Sequence, residues 1–176
     1  MSRAVAHTLA LGVLVTAGCG QQAPTGVTTP TTNAPLSLKL LDGVVARKVP
    51  IQVSGKEVEA TIFPKDLGKS ALFLCYYTLP SAAEDKQACD VAINAEVDRC
   101  VANTGAEVVS RKAISATEHP TLEVLAKSPK DRSHTIRFRV ICTGKEIQSL
   151  TAITPNTQDA RQSEALDAMF EEFDAK

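Results

Sequence analysis

Four cysteines between residues 75 and 142 are the reactive groups whose chemistry can be tested most directly against geometry: Cys75, Cys89, Cys100 and Cys142. A thiol can pair into a disulfide, ligate a metal or act as a nucleophile. Zinc sites use cysteines in close pairs, about two to four residues apart, and no two of these cysteines are so close. For Cys75, a buried bridge or core thiol is a better explanation than a nucleophile. If the chain reaches an oxidising compartment, we therefore expect the four cysteines to form two disulfides.

Helix geometry ranks the possible pairings. Cys89 and Cys100 lie on one predicted helix, eleven residues apart, which separates their Cα atoms by about 16 Å. The Cα atoms of a disulfide lie within about 7 Å of each other, so these two cysteines cannot pair. If the strands that carry Cys75 and Cys142 run in the same direction, Cys142 lies level with the start of the helix. We favour Cys89–Cys142 with Cys75–Cys100, and Cys75–Cys89 with Cys100–Cys142 stays open.

Two arginines on one strand form a second candidate site. Alternation over Thr135–Thr143 places Arg137 and Arg139 on the face opposite to the apolar residues. With basic residues of neighbouring strands they would form a stripe that binds an anionic ligand. The interpretation that we favour is structural: their aliphatic stems cover the sheet and their guanidinium groups pair with Glu164 or Glu171 of the last helix.

Residue groupings typical of catalysis do not occur in the sequence. None of the three histidines has a cysteine, histidine or carboxylate at metal-ligand spacing, and there is no glycine-rich phosphate loop or serine nucleophile elbow. The net charge of −1, from 19 basic and 20 acidic residues, gives no reason to expect nucleic acid as a partner. We therefore predict no catalytic residues, no metal and no cofactor.

Hydrophobic periodicity predicts a mixed domain with more strands than helices. Strands are predicted within Leu36–Phe63, with a Ser54-Gly55 turn and a loop from Pro64 to Lys69, and over Ala71–Leu79, Glu107–Ile114, Thr121–Lys127, Thr135–Thr143 and Glu146–Thr154. Helices are predicted over Ala82–Asn103 and from about Asp159, which forms a capping pair with Gln162.

Three details of the pattern indicate how the elements are arranged. Pro50 lacks an N–H, which places its strand at an edge or a bulge. The unbroken apolar run Ala71–Leu79 predicts a central strand that is covered on both faces. On the first helix, apolar residues from Cys89 to Val101 form one stripe, and Arg99 is predicted to lie away from it. The fold class is therefore α+β: a single domain with an antiparallel sheet between helices on opposite faces.

The start of the chain resembles a bacterial lipoprotein signal. A lone positive charge at Arg3 precedes the apolar stretch Ala4–Val15, which is too short to span a bilayer, and small residues then lead to Cys19. Thr16 departs from the family pattern, which usually has an aliphatic residue three positions before the cysteine. The resemblance implies that residues 1–18 are removed and that Cys19 is acylated, which anchors the protein to the membrane. In a Gram-negative host, Gly20 after the cysteine would imply the outer membrane.

Residues 19–35 have a composition typical of a tether. Threonine, proline, alanine and glutamine dominate from Gln21 to Pro35, with almost no charge and little apolar content. Such a segment buries too little surface to offset its ordering entropy, so we expect a flexible link. Residues 36–176, about 140 in number, then form one domain of ordinary size.

The final third of the chain resembles PsbP-like domains. Thr135–Pro155 is a strand, a glycine turn and a strand ending in Thr-Pro, and a helix ending in Met169–Phe173 follows. Two further features fit the same arrangement: the helix that leads into Thr104–Val109, and the later segment His119–Glu123. The resemblance covers about residues 40–174 and implies an α/β/α sandwich with an antiparallel sheet. Members of that family differ widely in role, so no functional residue is carried over.

The sequence thus predicts a lipid-anchored, non-enzymatic protein of the cell envelope. We expect it to act as an accessory or protein-interaction domain, with the membrane as one partner and an envelope protein as a possible second. The alternative is a small-molecule or cation-binding envelope protein, and a hydrolase ranks third. Binding to nucleic acid is not expected.

Overall fold

A computed structural model of the chain describes residues 44–115, 117–129, 133–157 and 160–174. The predicted signal peptide, Cys19, the tether and Asp159 lie outside these ranges, so the predictions made for them stay predictions. The described elements, in chain order, are β1 Arg47–Val53, β2 Lys56–Asp66, β3 Ala71–Thr78, α1 Lys86–Thr104, β4 Glu107–Ile114, β5 Thr121–Lys127, β6 His134–Cys142, β7 Glu146–Pro155 and α2 Ala160–Asp174.

All seven strands form a single antiparallel sheet in the order β1-β2-β3-β7-β6-β5-β4. β3 and β6 both pair with β7, so they run in the same direction, as the disulfide argument requires. β1 is an edge strand, which confirms the prediction from Pro50. The fold is α+β, with a sheet that is larger than the two helices together.

The turns and helix ends follow from a few residues. Ser54 and Gly55 both have positive φ, which is the backbone of the tight hairpin turn between β1 and β2. Asp85 caps α1 by accepting a hydrogen bond from the backbone N–H of Ala88 at 2.7 Å. Gly105, with φ 62°, ends the helix in the left-handed conformation, which glycine adopts readily.

The sheet divides the core into two clusters. Cys89, Ile93 and Val97 of α1 belong to the first cluster, and Leu166, Phe170 and Phe173 of α2 belong to the second. Successive residues of the central strands alternate between the clusters. Cys75, Tyr77 and Ile147 lie in the first, whereas Leu72, Leu74 and Leu150 lie in the second. β3 thus contributes apolar side chains to both faces, as its unbroken apolar sequence predicts.

Two predicted boundaries are wrong. The helix begins at Lys86 rather than near Ala82, because the side chain of Asp85 caps it there. The predicted loop from Pro64 is instead strand as far as Asp66. β1 pairs with β2 only as far as Ile62, so beyond that point Pro64 has β3 alone as a neighbour and its missing N–H breaks no pairing. Among the described residues, no helix combines the length and the apolar character needed to cross a membrane.

Candidate functional site

Glu96 is a carboxylate inside the core, on the side of α1 that faces the sheet. It is 1 % exposed. Its Oε2 accepts hydrogen bonds from the Tyr77 hydroxyl at 3.0 Å and from Arg99 Nε at 2.8 Å. Its Oε1 accepts from Arg99 at 2.6 Å, from Ser149 Oγ at 3.1 Å and from the Cys100 thiol at 3.4 Å. Both oxygens are therefore occupied by donors from α1, β3 and β7, which is the condition for a buried charge to be tolerated.

Arg99 supplies the matching positive charge. Burial alone would lower the pKa of Arg99, but the hydrogen bonds and the charge of Glu96 outweigh it and raise the pKa above its usual value. The fork geometry engages both oxygens of Glu96 at once. The Arg99 side chain is 24 % exposed, whereas the carboxylate that it holds is fully buried.

Cys75 and Cys100 flank this ion pair as free thiols. The predicted Cys75–Cys100 bridge is therefore not formed in the structure. Cys100 donates to Glu96, and Ser149 and Arg99 are hydrogen-bonding neighbours of Cys75, so polar groups take up the contacts of both sulfurs. Burial raises the pKa of Cys75 to about 11, and Glu96 reinforces the shift. Burial also raises the pKa of Cys100. Neither thiol is suited to nucleophilic chemistry near neutral pH.

The other predicted pair, Cys89 with Cys142, is bonded, with Cα atoms 5.6 Å apart. It links the first turn of α1 to the end of β6, which agrees with the preferred pairing. Both cysteines are buried. The bridge fixes α1 against β6, close to the loop where the Ala83 N–H donates to the Gly144 carbonyl at 2.6 Å.

A groove of about 510 Å³ opens beside the ion pair. Its first wall is α1, from Ala88 through Val91 and Ala95 to Arg99. The facing wall comprises the β1–β2 turn and the segment after β3, with the lining residues Gln52, Val53, Ser54, Lys56, Leu79, Pro80, Ser81, Ala82 and Ala83. Its volume lies within the range of about 300–1,000 Å³ that is usual for small-molecule sites.

The groove exists because α1 covers only part of its face of the sheet. The helix contacts β5, β6 and β7, whereas β1 and β2 lie at the far edge of the same sheet. Apolar residues of β1 and β2 that point toward this face, among them Val49, Val53 and Val58, are therefore only partly buried. Val91, on the groove side of α1, is 66 % exposed. Part of this sheet face, at β1 and β2, is thus left open along the helix.

The predicted arginine site has a structural role on the opposite face. Arg139 is 6 % exposed, donates to the Phe170 carbonyl at 2.6 Å and bonds Glu123 through Nε at 3.0 Å and through a second nitrogen. Arg137 also bonds Glu123, at 2.8 and 3.0 Å, and pairs with Asp167 at 2.5 Å. Its guanidinium carbon lies 4.1 Å from the centre of the Phe170 ring. The two arginines therefore attach α2 to β5 and β6.

The predicted partners of the arginines were wrong, although the structural role was right. Glu164 and Glu171 were expected to pair with them, and Asp167 and Glu123 do so instead. Glu123 is the shared acceptor. Burial alone would raise its pKa, but hydrogen bonds from Arg137 and Arg139, together with their charges, outweigh burial and lower the pKa.

The sequence reasoning missed Glu96 and misplaced Arg99. Glu96 lies three residues after Ile93 and four before Cys100, so it belongs to the apolar stripe of α1. A charged residue within the apolar stripe of a helix is the sequence signal that would have identified Glu96. Arg99, predicted to lie away from the stripe, folds back onto Glu96 one turn earlier. Among the described residues, no cluster of three or more histidines, cysteines or carboxylates could hold a metal ion.

Comparisons with known proteins give no identity. No protein-family model matches this chain, and a search of curated proteins finds no match.

Proposed function

We propose that this chain is a lipid-anchored, non-enzymatic binding domain of the cell envelope, and that the groove beside α1 is its binding site. The observation that carries the proposal is the incomplete cover of this sheet face: the structure leaves apolar surface of α1, β1 and β2 open, next to a fully satisfied buried ion pair. An open apolar cleft with a few convergent polar groups is the usual form of a ligand site.

The buried cluster supports binding rather than reaction chemistry. A catalytic acid or base needs room for a substrate proton within hydrogen-bond reach, but Glu96 already accepts five hydrogen bonds from the protein. The pKa of Cys75 is raised to about 11, which disfavours the thiolate that a nucleophilic cysteine needs. The cluster therefore serves as a rigid wall of the groove.

The anchor part of the proposal rests on the sequence. Acylation of Cys19 would hold the protein at the membrane, in the outer membrane if the host is Gram-negative, and residues 19–35 would let the domain reach its partner. Replacing Cys19 by alanine should release the chain from the membrane fraction. Mass spectrometry of the mature wild-type N-terminus should find an acylated cysteine, and an unmodified start would contradict the anchor.

The finer fold assignment is also a proposal. We propose an α/β/α sandwich of the PsbP-like type, supported by the continuous antiparallel sheet and by the separate core clusters that contain α1 and α2. Superposition of an experimental structure on PsbP-like domains tests it, and a different strand order would contradict it.

Thermal shift tests binding in the groove. The full chain with Cys19→Ala is screened against metabolites and metal ions. A ligand at about 100 times its Kd should stabilise the protein by about 2.7 kcal/mol. Val91→Glu should abolish the shift, whereas Val109→Glu should keep it, because Val109 is comparably exposed (58 %) and lies on β4 at the other edge of the sheet. Equal shifts in both variants would contradict a site in the groove.

A further inference from the structure

We infer that the groove binds an amphipathic organic anion: a carboxylate or sulfonate head group carried on an apolar body. This inference rests on the proposed function and specifies its ligand. The charges that line the groove, the position of its apolar surface and the length of its helix wall all fit such a ligand.

The charges of the lining favour an anion. Of the residues that the structure describes, three that line the groove are charged: Lys56, Glu96 and Arg99. Glu96 offers no free oxygen, because each of its oxygens accepts at least two hydrogen bonds from the protein. Arg99 neutralises it, and 24 % of the Arg99 side chain is exposed along the groove. The lining therefore has one excess positive charge, and its accessible charged groups are donors.

Lys56 is placed to contact a ligand in the groove. It pairs directly with Val53 across the β1–β2 turn, so the two side chains lie on the same face of the sheet. Val53 belongs to the cluster on the α1 side, which puts Lys56 on that side too. Lys56 and Arg99 thus lie on facing walls, and each offers a positive charge to an anionic head group.

The apolar part of the ligand has a surface of its own. Ala88, Val91, Ala92 and Ala95 follow one another at helical spacing along the α1 wall, and Leu79 lies on the facing wall. From Ala88 to Arg99 the helix rises by about 16 Å, which is long enough for an extended chain of about ten carbons. Burying such a chain would remove its apolar surface from water, which favours binding.

Decyl probes of different charge test the inference. The full chain with Cys19→Ala is titrated with decanoate, decanol and decyltrimethylammonium by isothermal calorimetry. The two ionic probes are kept below their micelle concentrations and decanol below its solubility limit. We expect decanoate to bind at least tenfold more tightly than decyltrimethylammonium. Equal or tighter binding of the cation would overturn the inference.

Surface variants locate the site without disturbing the core. Val91→Glu should weaken decanoate binding by about tenfold, and Lys56→Gln by about threefold. The matched controls are Val109→Glu and Lys69→Gln, which make the same changes at exposed positions away from the groove. The controls should leave binding unchanged. Circular dichroism confirms that each variant is folded, so equal loss in variants and controls would overturn the inference.

The outcomes separate this inference from the proposed function. If decanol binds as tightly as decanoate and Val91→Glu weakens both, the groove is a site but its anion preference is refuted. If no decyl probe binds, while a ligand from the thermal-shift screen is lost in Val91→Glu alone, the ligand class is refuted and the binding function stands. If neither probes nor screen depend on Val91, both proposals fail.

Discussion

At the scale of single residues, the stability of the protein is sensitive to the buried ion pair of Glu96 and Arg99, because a substitution of either residue disrupts the pair. Removing one partner of a buried ion pair typically costs about 3–5 kcal/mol, since the other charge is left without compensation. The remaining donors, Tyr77 and Ser149, would also lose their acceptor. Through the hydrogen bonds of Glu96 to Tyr77 of β3 and Ser149 of β7, the pair therefore fixes the height of α1 above the sheet and the rotation of α1 about its own axis.

Replacing the pair in two steps tests this view. Glu96→Leu should lower the free energy of unfolding by about 3 kcal/mol, and adding Arg99→Leu should recover at least half of that loss, because no lone charge remains. Urea unfolding monitored by circular dichroism measures both. Asp98→Leu, in the exposed pair with Arg111, is the control and should cost less than about 1 kcal/mol. A double variant that is less stable than Glu96→Leu alone would contradict the interpretation.

The free thiols give a second prediction at this scale. With the pKa of Cys75 raised from 9.0 to about 11, its thiolate fraction at pH 8 falls about a hundredfold, so iodoacetamide should label Cys75 and Cys100 slowly in the folded protein and rapidly in urea. Non-reducing peptide mapping should find Cys89–Cys142 as a bridge and both other thiols free. Fast labelling in native buffer, or a Cys75–Cys100 bridge, would show that the arrangement is wrong.

The same shift has a consequence at high pH. A thiol whose pKa is higher in the folded state keeps its proton there, whereas the unfolded chain loses it earlier. Its contribution to stability is complete below about pH 9 and is lost as the pH rises toward about 11. In Cys75→Ala this part of the pH dependence should disappear, which urea titrations at pH 8 and 10.5 would reveal.

At the scale of elements, the ends of the helices depend on single side chains. Asp85→Ala removes the acceptor for the Ala88 N–H and should destabilise the protein by about 1 kcal/mol. Asp90→Ala makes the same change at an exposed position inside α1 and should cost less than about 0.5 kcal/mol. Thermal unfolding compares the two, and equal effects would show that the cap contributes nothing of its own.

The attachment of α2 should weaken in acid. The pKa of Glu123 is lower in the folded state, so its contribution to stability is present above about pH 4.5 and is lost as the pH falls through the folded value. Glu123→Gln should remove this dependence between pH 6 and pH 3. Glu59→Gln, in the exposed pair with Lys48, should not. Hydrogen exchange of the α2 backbone amides measures this loss of stability within the helix. If their protection in the wild-type protein does not depend on pH, ionised Glu123 does not stabilise the attachment of α2.

At the scale of the whole molecule, the pairing of strands that a tight turn connects could mostly be predicted from local signals. Ser54-Gly55 and Gly144 mark tight turns, and the alternation in β6 and β7 assigns their residues to the correct faces. The pairing of β3 with β7 has no local signal, because it joins strands that are distant in the chain. For the same reason the sequence did not show that Ser149 and Tyr77 would meet Glu96, or that α1 would leave β1 and β2 uncovered.

The most direct test of the groove as a binding site is a nuclear magnetic resonance titration of the full chain with Cys19→Ala by decanoate. We expect the amide signals of Ser54, Lys56, Val91 and Ala95 to shift together and to saturate, while those of Val109 and Leu125 stay in place. Shifts centred on β4 and β5, or spread evenly over the protein, would contradict a ligand site beside α1.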